Sequence, residues 1–186
     1  MHYSDLRSKR VLVTGASSGI GAATAELFAA QGAYVGVHYF RTADGAEATL
    51  GKVLSHADGC LLRADMRDES QVREMVAAFA RLAGGIDVLV NNAGTLIDRV
   101  DIEQMPLAFY EDVFATNVRS AFLATREAFP HLKVSKGCIV NVGSVAGHHG
   151  GGGGSGVYAA AKAAVHTLTI AMAKEFGPYR IRANCV

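Results

Sequence analysis

The sequence predicts an α/β fold in which a doubly wound parallel sheet is covered by helices on both faces. Two observations support this prediction. Short apolar segments of strand length alternate with longer segments of helix length through most of the 186 residues, which is the pattern of repeated strand-helix-strand units. The first apolar segment also ends in a glycine cluster that leads straight into a helix-forming stretch. We expect one dinucleotide-binding domain over residues 1–186.

The predicted strands are short apolar segments. The first is β-branched at two of its three positions, and the fourth is apolar apart from Asp87, as expected where helices cover both faces. In chain order the strands cover residues 11–13, 33–39, 60–63, 86–90, 138–142 and 180–186. Right-handed crossovers place all their carboxyl ends on one edge of the sheet, where a ligand is expected at the point of strand-order reversal.

The predicted helices lie between these strands. Asp68 is a suitable N-cap for the third helix, whose apolar side chains recur at helical spacing until Gly84-Gly85 ends it. The fourth is a single long helical region. In chain order the helices cover residues 22–30, 43–55, 69–82, 106–132 and 157–176.

Three glycines between the first strand and the first helix predict a seat for a dinucleotide. Gly15 allows a sharp turn, Gly19 lets backbone approach a pyrophosphate, and Gly21 lets the helix pack closely. The helix N-terminus then directs unpaired N–H groups at the phosphates. A tight turn needs glycine even without a ligand, so this Gly-x-x-x-Gly-x-Gly spacing alone is also compatible with a purely structural turn.

Composition and charge exclude several function classes. The 18 basic and 17 acidic residues leave a net charge of +1, so no surface for nucleic acid is indicated. Residues 1–10 are polar, and no apolar run reaches the roughly 20 residues of a membrane span, so neither a signal peptide nor a membrane anchor is predicted. The scattered Cys60, Cys138 and Cys185 are expected to be buried thiols without a disulfide or metal. We therefore expect a cytoplasmic protein.

Polar side chains with catalytic potential follow the later strands. Tyr158 and Lys162 are four residues apart and share one face of a predicted helix, where the ammonium would favour the ionised form of a phenol. Ser144 lies just past the fifth strand and can offer its hydroxyl to a substrate carbonyl. The Asn91-Asn92-Ala93-Gly94 segment ends the fourth strand. A chance Tyr-Lys pair and a simple Asn-Gly turn remain the structural alternatives.

Taken together, these segments resemble the classical short-chain dehydrogenase/reductase family, whose 3-oxoacyl-thioester reductases they are most like. The matching residues occur in the family's order and at nearly its spacing, and they are Thr14 to Gly21, Asn91 to Gly94, Asn117, Ser144, Tyr158 and Lys162. The resemblance covers the chain from Val11 onward. It implies a Rossmann-type sheet of strand order 3-2-1-4-5-6, with the family's seventh strand missing.

The resemblance also implies the roles of single residues. Tyr158 would be the catalytic acid/base, and Lys162 would favour its phenolate and hold the nicotinamide ribose. Ser144 would orient the substrate carbonyl, and Asn117 would support a water-linked proton relay to Lys162. Thr14 would tie the first turn to the Asn-Asn-Ala-Gly segment. Besides Tyr158 and Lys162, the implied cofactor contacts are Gly15, Ser17, Ser18, Gly19, Ile20, Gly21, Arg41, Asp65, Met66, Asn92, Ala93 and Gly94.

The end of the second strand favours NADP over NAD as cofactor. NAD binding calls for a carboxylate there, whereas the sequence reads His38-Tyr39-Phe40-Arg41, and Arg41 can pair with a 2′-phosphate. A solvated loop arginine is the alternative. Ser18 occupies a position where NADP-preferring relatives often carry a basic residue, so this second support is missing.

Two features depart from the family pattern. Ser144 and Tyr158 are fourteen residues apart, one more than usual, and the extra residue is expected within the five glycines 150–154, a flexible and poorly ordered loop. His148 and His149 precede it and are interpreted as solvated residues that can touch substrate, not as metal ligands. Relatives continue past the sixth strand with a substrate-covering segment. We therefore expect either a fragment or a protein with an incomplete site.

The predicted function is hydride transfer between NADP(H) and a ketone or a 3-oxoacyl thioester, with sugar or polyol oxidation as a substrate variant. The alternative from another class is a catalytically silent dinucleotide-binding or scaffold protein. The helices 106–132 and 157–176 resemble those that pair across a two-fold axis in this family, which predicts a homodimer or homotetramer. The candidate contact residues, each of which could equally belong to the core, are Phe109, Val113, Phe122 and Leu168.

Overall fold

The computed structural model describes residues 3–186, which form six strands in one parallel sheet. The strands are β1 (Arg10–Val13), β2 (Tyr34–Tyr39), β3 (Gly59–Arg63), β4 (Val88–Asn91), β5 (Cys138–Asn141) and β6 (Arg182–Cys185). Their spatial order is β3-β2-β1-β4-β5-β6, as predicted. The order reverses between β1 and β4, which are paired in register at Val11↔Val88. The crevice at the carboxyl ends of these two strands is the ligand position that the fold offers.

Seven α-helices connect the strands within the described residues. They are α1 (Gly19–Ala30), α2 (Ala43–Leu54), α3 (Glu69–Ala83), α4 (Leu107–Phe114), α5 (Ser120–Ser135), α6 (Ala146–His149) and α7 (Gly156–Phe176). Asp68 caps α3 as predicted, because its carboxylate accepts from the Ser70 and Gln71 backbone N–H groups. Gly84 ends this helix in the left-handed conformation.

Alternation along the strands divides the buried core into two layers. Leu12 of β1 and Leu89 of β4 face α3, α5 and α7, where Phe79 is fully buried. Val11 and Val13 point the other way, toward α1 and α2. Because successive strand residues face opposite sides, two covered faces require apolar residues at nearly every position. The doubly wound prediction is confirmed.

Asp87, the one carboxylate in the predicted fourth strand, precedes β4 and has a partner. Its Oδ2 accepts from the Arg10 Nε at 2.7 Å and from the Arg10 backbone N–H at 2.8 Å. A further bond joins Arg10 Nη2 to Oδ1 at 2.9 Å. The pair joins the start of β1 to the chain entering β4, so a partly buried charge is hydrogen-bonded and compensated.

The long fourth helical region differs from prediction, because a π-helical turn at Ala115–Arg119 separates α4 from α5. Within this turn the Asn117 side-chain Nδ2 donates to the Val113 carbonyl at 2.9 Å. The side chain thereby takes a carbonyl that the regular helix would pair with the backbone N–H four residues on, and such insertions widen a helix. The widened turn holds Asn117 against the carboxyl edge of the sheet.

Two smaller predictions were wrong. The three cysteines are only half-buried, because Cys60 and Cys185 lie on the edge strands β3 and β6 and Cys138 starts β5; all three are free thiols. The segment after Ser144 contains the short helix α6, which was predicted as loop. Ser144 Oγ accepts from the Ala146 backbone N–H at 3.1 Å, and this bond starts the helix.

Among residues 3–186, no helix combines the length and apolarity that crossing a bilayer requires.

Candidate active site

The first strand-to-helix turn is held closed by a side chain from each end. The Thr14 hydroxyl donates to the Val90 carbonyl at 3.2 Å and accepts from the backbone N–H groups of Asn92 and Ala93, both at 3.0 Å. Asn92 returns two bonds from Nδ2, to the carbonyls of Thr14 at 2.9 Å and Gly15 at 2.8 Å. The predicted tie between the first turn and the Asn-Asn-Ala-Gly segment is therefore present.

Close packing at this turn requires two of the three glycines. Gly15 has φ +64°, a left-handed conformation that side chains rarely adopt. A Cβ on Gly21 would lie 2.3 Å from the Gly15 carbonyl oxygen and 2.4 Å from Asn92 Nδ2. Gly21 therefore packs against the turn itself and its Asn92 partner. This close contact fixes how α1 leaves the sheet.

The entrance of α1 fits a phosphate group. Ser18 is the N-cap and its side chain makes no capping hydrogen bond, so the first N–H groups of the helix lack a side-chain partner. Gly19 has φ +54°, and nothing lies within 4 Å of where its Cβ would be. Ser18, Gly19 and Ile20 are all exposed. Open space and unpaired donors at a helix N-terminus are the features that bind a pyrophosphate.

A pocket of about 600 Å³ extends from this turn toward the ends of β2 and β3. Most of the predicted cofactor residues line it, namely Gly15, Ser17, Ser18, Arg41, Asp65, Met66, Ala93 and Gly94. The first turn of α1, next to the pocket, contains Gly19, Ile20 and Gly21. The Asn92 side chain is hydrogen-bonded to the glycine turn. Tyr158 and Lys162 lie farther along the crevice.

His38, which sequence reasoning did not assign to the site, braces the floor of this pocket. It is buried, with Nδ1 accepting from the Gly15 backbone N–H at 2.9 Å and Nε2 3.1 Å from the Ala64 carbonyl. An accepting Nδ1 places the ring proton on Nε2, which donates to Ala64. Burial lowers the pKa of His38 to about 4, so the ring is neutral at neutral pH.

The end of β3 carries a charged cluster that the sequence showed only in part. Asp65 is paired by the guanidinium of Arg67, with Nε at 3.0 Å from Oδ1 and Nη2 at 2.8 Å from Oδ2. Arg67 also reaches Asp112 on α4, with Nη1 at 3.1 Å from Oδ1. Asp65 is thus already engaged by protein. Arg67 follows Asp65 by two residues. The sequence around Arg67 is also compatible with a solvated arginine in a turn, so the sequence alone did not assign it to the site.

The opposite end of the crevice brings together two of the predicted catalytic residues. A Cβ on Gly94 would lie 2.6 Å from Asn117 Oδ1 and 3.3 Å from Lys162 Nζ, so both polar groups border one space. Asn117 Oδ1 accepts from the Thr95 backbone N–H at 3.1 Å, and Nδ2 donates to the Thr95 carbonyl at 2.9 Å. The carboxamide is held rigidly between the π turn and the loop after β4.

Lys162 is a buried ammonium, only 5% exposed. Its Nζ donates to the Val142 carbonyl at 2.8 Å and lies 5.8 Å from the centre of the Tyr158 ring. Burial lowers the pKa of Lys162, since desolvation penalises the charged form. No carboxylate within residues 3–186 forms an ion pair with it. The ammonium is therefore held at the carboxyl edge beside Tyr158, which is half-buried.

Ser144 lines a second cleft, of about 850 Å³, between α6, α7 and β6. His148 and His166 border the same cleft with ring centres 4.4 Å apart, although His148 was predicted to be loop. The part of the chain that the structure describes contains no cluster of three His, Cys, Asp or Glu side chains able to hold a metal ion. The cleft opens directly beside the hydroxyl that would face a substrate carbonyl.

The glycine segment 150–154 is tied to the loop after β4. The Val100 backbone N–H donates to the Gly154 carbonyl at 3.0 Å, and Arg99 Nη1 donates to the Gly153 carbonyl at 2.8 Å. Ser155 Oγ accepts from the Gly152 N–H at 2.9 Å, which closes the turn before α7. These contacts join the loop after β4 to the glycine segment that lies between Ser144 and Tyr158 in the chain.

Asn91, which begins the Asn-Asn-Ala-Gly segment, points into the core and away from the crevice. Its Nδ2 donates to Asn141 Oδ1 at 2.8 Å and to Thr125 Oγ1 at 2.9 Å. Asn141 in turn donates to Thr169 Oγ1 at 2.8 Å. The buried amide chain joins β4, β5, α5 and α7 beneath the site, so the first asparagine is structural and only the second closes the turn.

Comparison with known proteins places this geometry in context. The sequence model of the family described as short chain dehydrogenase matches residues 9–186. The 3-oxoacyl-(acyl-carrier-protein) reductase FabG of Thermotoga maritima is 37% identical over 187 residues, which covers 97% of this chain and 73% of the relative.

Two solved structures are similar throughout. The NADH-dependent reductase A1-R' complexed with NAD has a TM-score of 0.94 and 40% identity, with 98% of this chain and 78% of that chain covered. A short chain dehydrogenase from Burkholderia cenocepacia in complex with NADP has a TM-score of 0.92 and 36% identity, with 97% and 73% covered. Structures with either dinucleotide thus share this fold.

Proposed function

The chain belongs to the short-chain dehydrogenase family of NAD(P)-dependent oxidoreductases, and we propose that it transfers a hydride between NADP(H) and a ketone or 3-oxoacyl thioester. The observation that carries the proposal is the buried Lys162 ammonium, which borders one space with Asn117 and lies beside Tyr158. Burying a lysine without a carboxylate partner destabilises the folded protein. Buried titratable groups with shifted pKa values are concentrated at functional sites.

The dinucleotide would be held along the crevice between β1 and β4. The N–H groups at the start of α1 would bind the pyrophosphate, the pocket near Asp65 and Met66 would take the adenosine, and Lys162 would bind the nicotinamide ribose. When bound, the nicotinamide supplies or accepts the hydride. The open space at Gly19 is the observation that supports this fit.

The remaining chemistry is proton transfer and charge stabilisation by side chains. During reduction, negative charge develops on the substrate oxygen, to which Ser144 would donate a hydrogen bond and Tyr158 a proton. Lys162 would stabilise the resulting phenolate, and a water beside the Asn117 carboxamide would return the proton. In the oxidative direction, Tyr158 would accept the proton of the alcohol.

Arg41 supports the choice of NADP. Tyr39 ends β2 and Phe40 and Arg41 follow, so no carboxylate stands where it would bind a ribose 2′-hydroxyl. Arg41 lines the adenosine pocket and forms no salt bridge within the described residues. The Arg41 guanidinium lies 5.2 Å from the centre of the Phe40 ring, and without a salt-bridge partner among residues 3–186 it can pair with a 2′-phosphate.

Substrate class, assembly and location extend the proposal. FabG of Thermotoga maritima carries a 3-oxoacyl reductase name, which favours a thioester; a sugar or polyol is the substrate variant.

For a homodimer or homotetramer, Phe122 on α5 is 45% exposed and suits a subunit contact, with Phe109 half-buried nearby in the chain. Val113 is buried and Leu168 packs on the core, so both contribute inside the subunit. We place the protein in the cytoplasm, with no nucleic-acid or membrane partner.

The experiment that tests the proposal compares Tyr158→Phe with the wild type in NADPH oxidation, using a panel of ketones and 3-oxoacyl thioesters. Loss of the phenolic proton should reduce kcat by at least about 100-fold, while NADPH binding is retained. Tyr179→Phe, an exposed tyrosine beyond the end of α7, is the matched control and should oxidise NADPH normally. Full activity of Tyr158→Phe would refute the catalytic role. Cofactor binding without any turnover in the wild type would favour a silent dinucleotide-binding protein.

A further inference from the structure

Arg67 lies between two carboxylates at the adenosine end of the cofactor pocket. Its guanidinium contacts both oxygens of Asp65, at 3.0 Å from Nε to Oδ1 and 2.8 Å from Nη2 to Oδ2. The Arg67 backbone N–H adds a third bond to Oδ1 at 3.0 Å. The remaining arm, Nη1, contacts Asp112 on α4 at 3.1 Å. The side chain of Asp65 is 17% exposed, and that of Asp112 is 57% exposed.

This geometry keeps Asp65 ionised while compensating its charge. Hydrogen bonds from Arg67, opposed by burial, hold the pKa of Asp65 below its usual range. Arg41 and Asp65 line the same pocket, and the charge of Arg41 also lowers this pKa. The Asp65 carboxylate would therefore repel any anion that Arg41 binds.

The charges that line the pocket balance only because Arg67 is present. Arg41 and Arg67 are positive, Asp65 and Asp112 are negative, and the buried His38 is neutral. Without Arg67, two carboxylates would face a single guanidinium. A 2′-phosphate adds a charge of about −1.5 to −2 at neutral pH, so it would then enter a pocket of negative sign.

We propose that Arg67 is a specificity-determining residue that neutralises Asp65 and thereby leaves Arg41 available for a 2′-phosphorylated dinucleotide. The inference rests on the proposed function, because it concerns the cofactor of that reaction. It assigns a different task to each arginine: Arg41 contacts the phosphate, and Arg67 removes the charge that would oppose it. A dinucleotide without the 2′-phosphate carries less charge at this end and depends less on Arg67.

The test measures dissociation constants of NADPH and NADH by calorimetry for the wild type, Arg67→Gln, Asp65→Asn and the double variant. Arg67→Gln should weaken NADPH binding by roughly five- to tenfold more than NADH binding, because an unpaired carboxylate in the same pocket would repel the 2′-phosphate. High salt should shrink this difference by screening. The double variant should recover the wild-type NADPH-to-NADH ratio, because the repelling carboxylate is gone. A merely structural role for Arg67 would not be rescued in this way.

Two controls make the outcome decisive. Arg73→Gln removes an exposed arginine of α3 that pairs with Glu69 outside the pocket, and should leave the cofactor ratio unchanged. If Arg67→Gln does not fold, Arg67→Lys keeps the charge without the two-armed contact and should hold the ratio within about twofold.

The possible failures are distinguishable. Equal weakening of both cofactors by Arg67→Gln, or no recovery in the double variant, would overturn the role of Arg67 and leave the proposed function intact. A wild-type protein that binds neither dinucleotide would overturn the proposed function, and this inference with it.

Discussion

The imidazole Nδ1 of His38 accepts a hydrogen bond from the backbone N–H of Gly15 at 2.9 Å, so a buried ring from β2 holds the glycine turn of β1. Its Nε2 proton is bonded to the Ala64 carbonyl at 3.1 Å, directly before Asp65. One neutral side chain therefore joins the glycine turn after β1 to the residue that follows β3. The arrangement works only while Nδ1 carries no proton.

Stability should fall in mild acid because of His38. Burial lowers its pKa from 6.5 to about 4 in the folded protein, so between these values the unfolded chain binds the additional proton. Above pH 6.5 the histidine is neutral in both states and the free energy of unfolding is unaffected by it. As the pH falls from 6.5 toward 4, the free energy of unfolding decreases by up to about 3 kcal/mol. Urea unfolding of the wild type and His38→Asn across this range measures it. The variant should show a shallower slope, whereas His149→Asn, an exposed histidine, should match the wild type. Identical slopes for all three proteins would contradict the role of His38.

Gly21→Ala should impair both stability and cofactor binding. The new methyl group would lie 2.3 Å from the Gly15 carbonyl and 2.4 Å from Asn92 Nδ2, so the turn must shift. Overpacking of this kind costs roughly 1–3 kcal/mol, and the displaced turn should weaken NADPH binding. Thermal unfolding and calorimetry provide the two measurements.

Gly51→Ala is the matched control for that substitution. Gly51 lies in α2 with nothing within 4 Å of its Cβ position, so alanine should stabilise the helix by about 0.5–1 kcal/mol. If both variants behaved alike, the close contact at Gly21 would not be the reason for its glycine.

Lys162→Met should separate catalysis from stability. Burial lowers the pKa of Lys162, which means that the folded protein is penalised for holding this charge. Methionine is of similar length, so the free energy of unfolding should stay unchanged or rise, while kcat should fall by at least about 100-fold. Urea unfolding and steady-state kinetics test the two halves.

Lys52→Met, which removes an exposed lysine of α2, is the matched control for Lys162→Met. It should change kcat by no more than about twofold and the free energy of unfolding by no more than about 0.5 kcal/mol. A Lys162→Met protein that unfolds readily would instead identify the lysine as a structural residue of the core.

The local elements were predictable because their signals are local. Asp68 caps α3 through residues two and three positions away, and Gly84 ends that helix by its own conformation. The apolar strands indicated a parallel sheet covered on both faces, and the family resemblance implied its strand order. The sequence did not reveal the π turn at Asn117, because a long helix and one widened turn have almost the same apolar spacing.

The sequence by itself determined the strand and helix order, the glycine turn and the family resemblance. Only the tertiary structure decided that His38 meets Gly15, 23 residues away, and that Arg67 meets Asp112, 45 residues away. The physical reason is strand register. Successive strand residues face opposite sides, so a shift of one residue would turn His38 away from the glycine turn, and packing of the whole sheet selects the register.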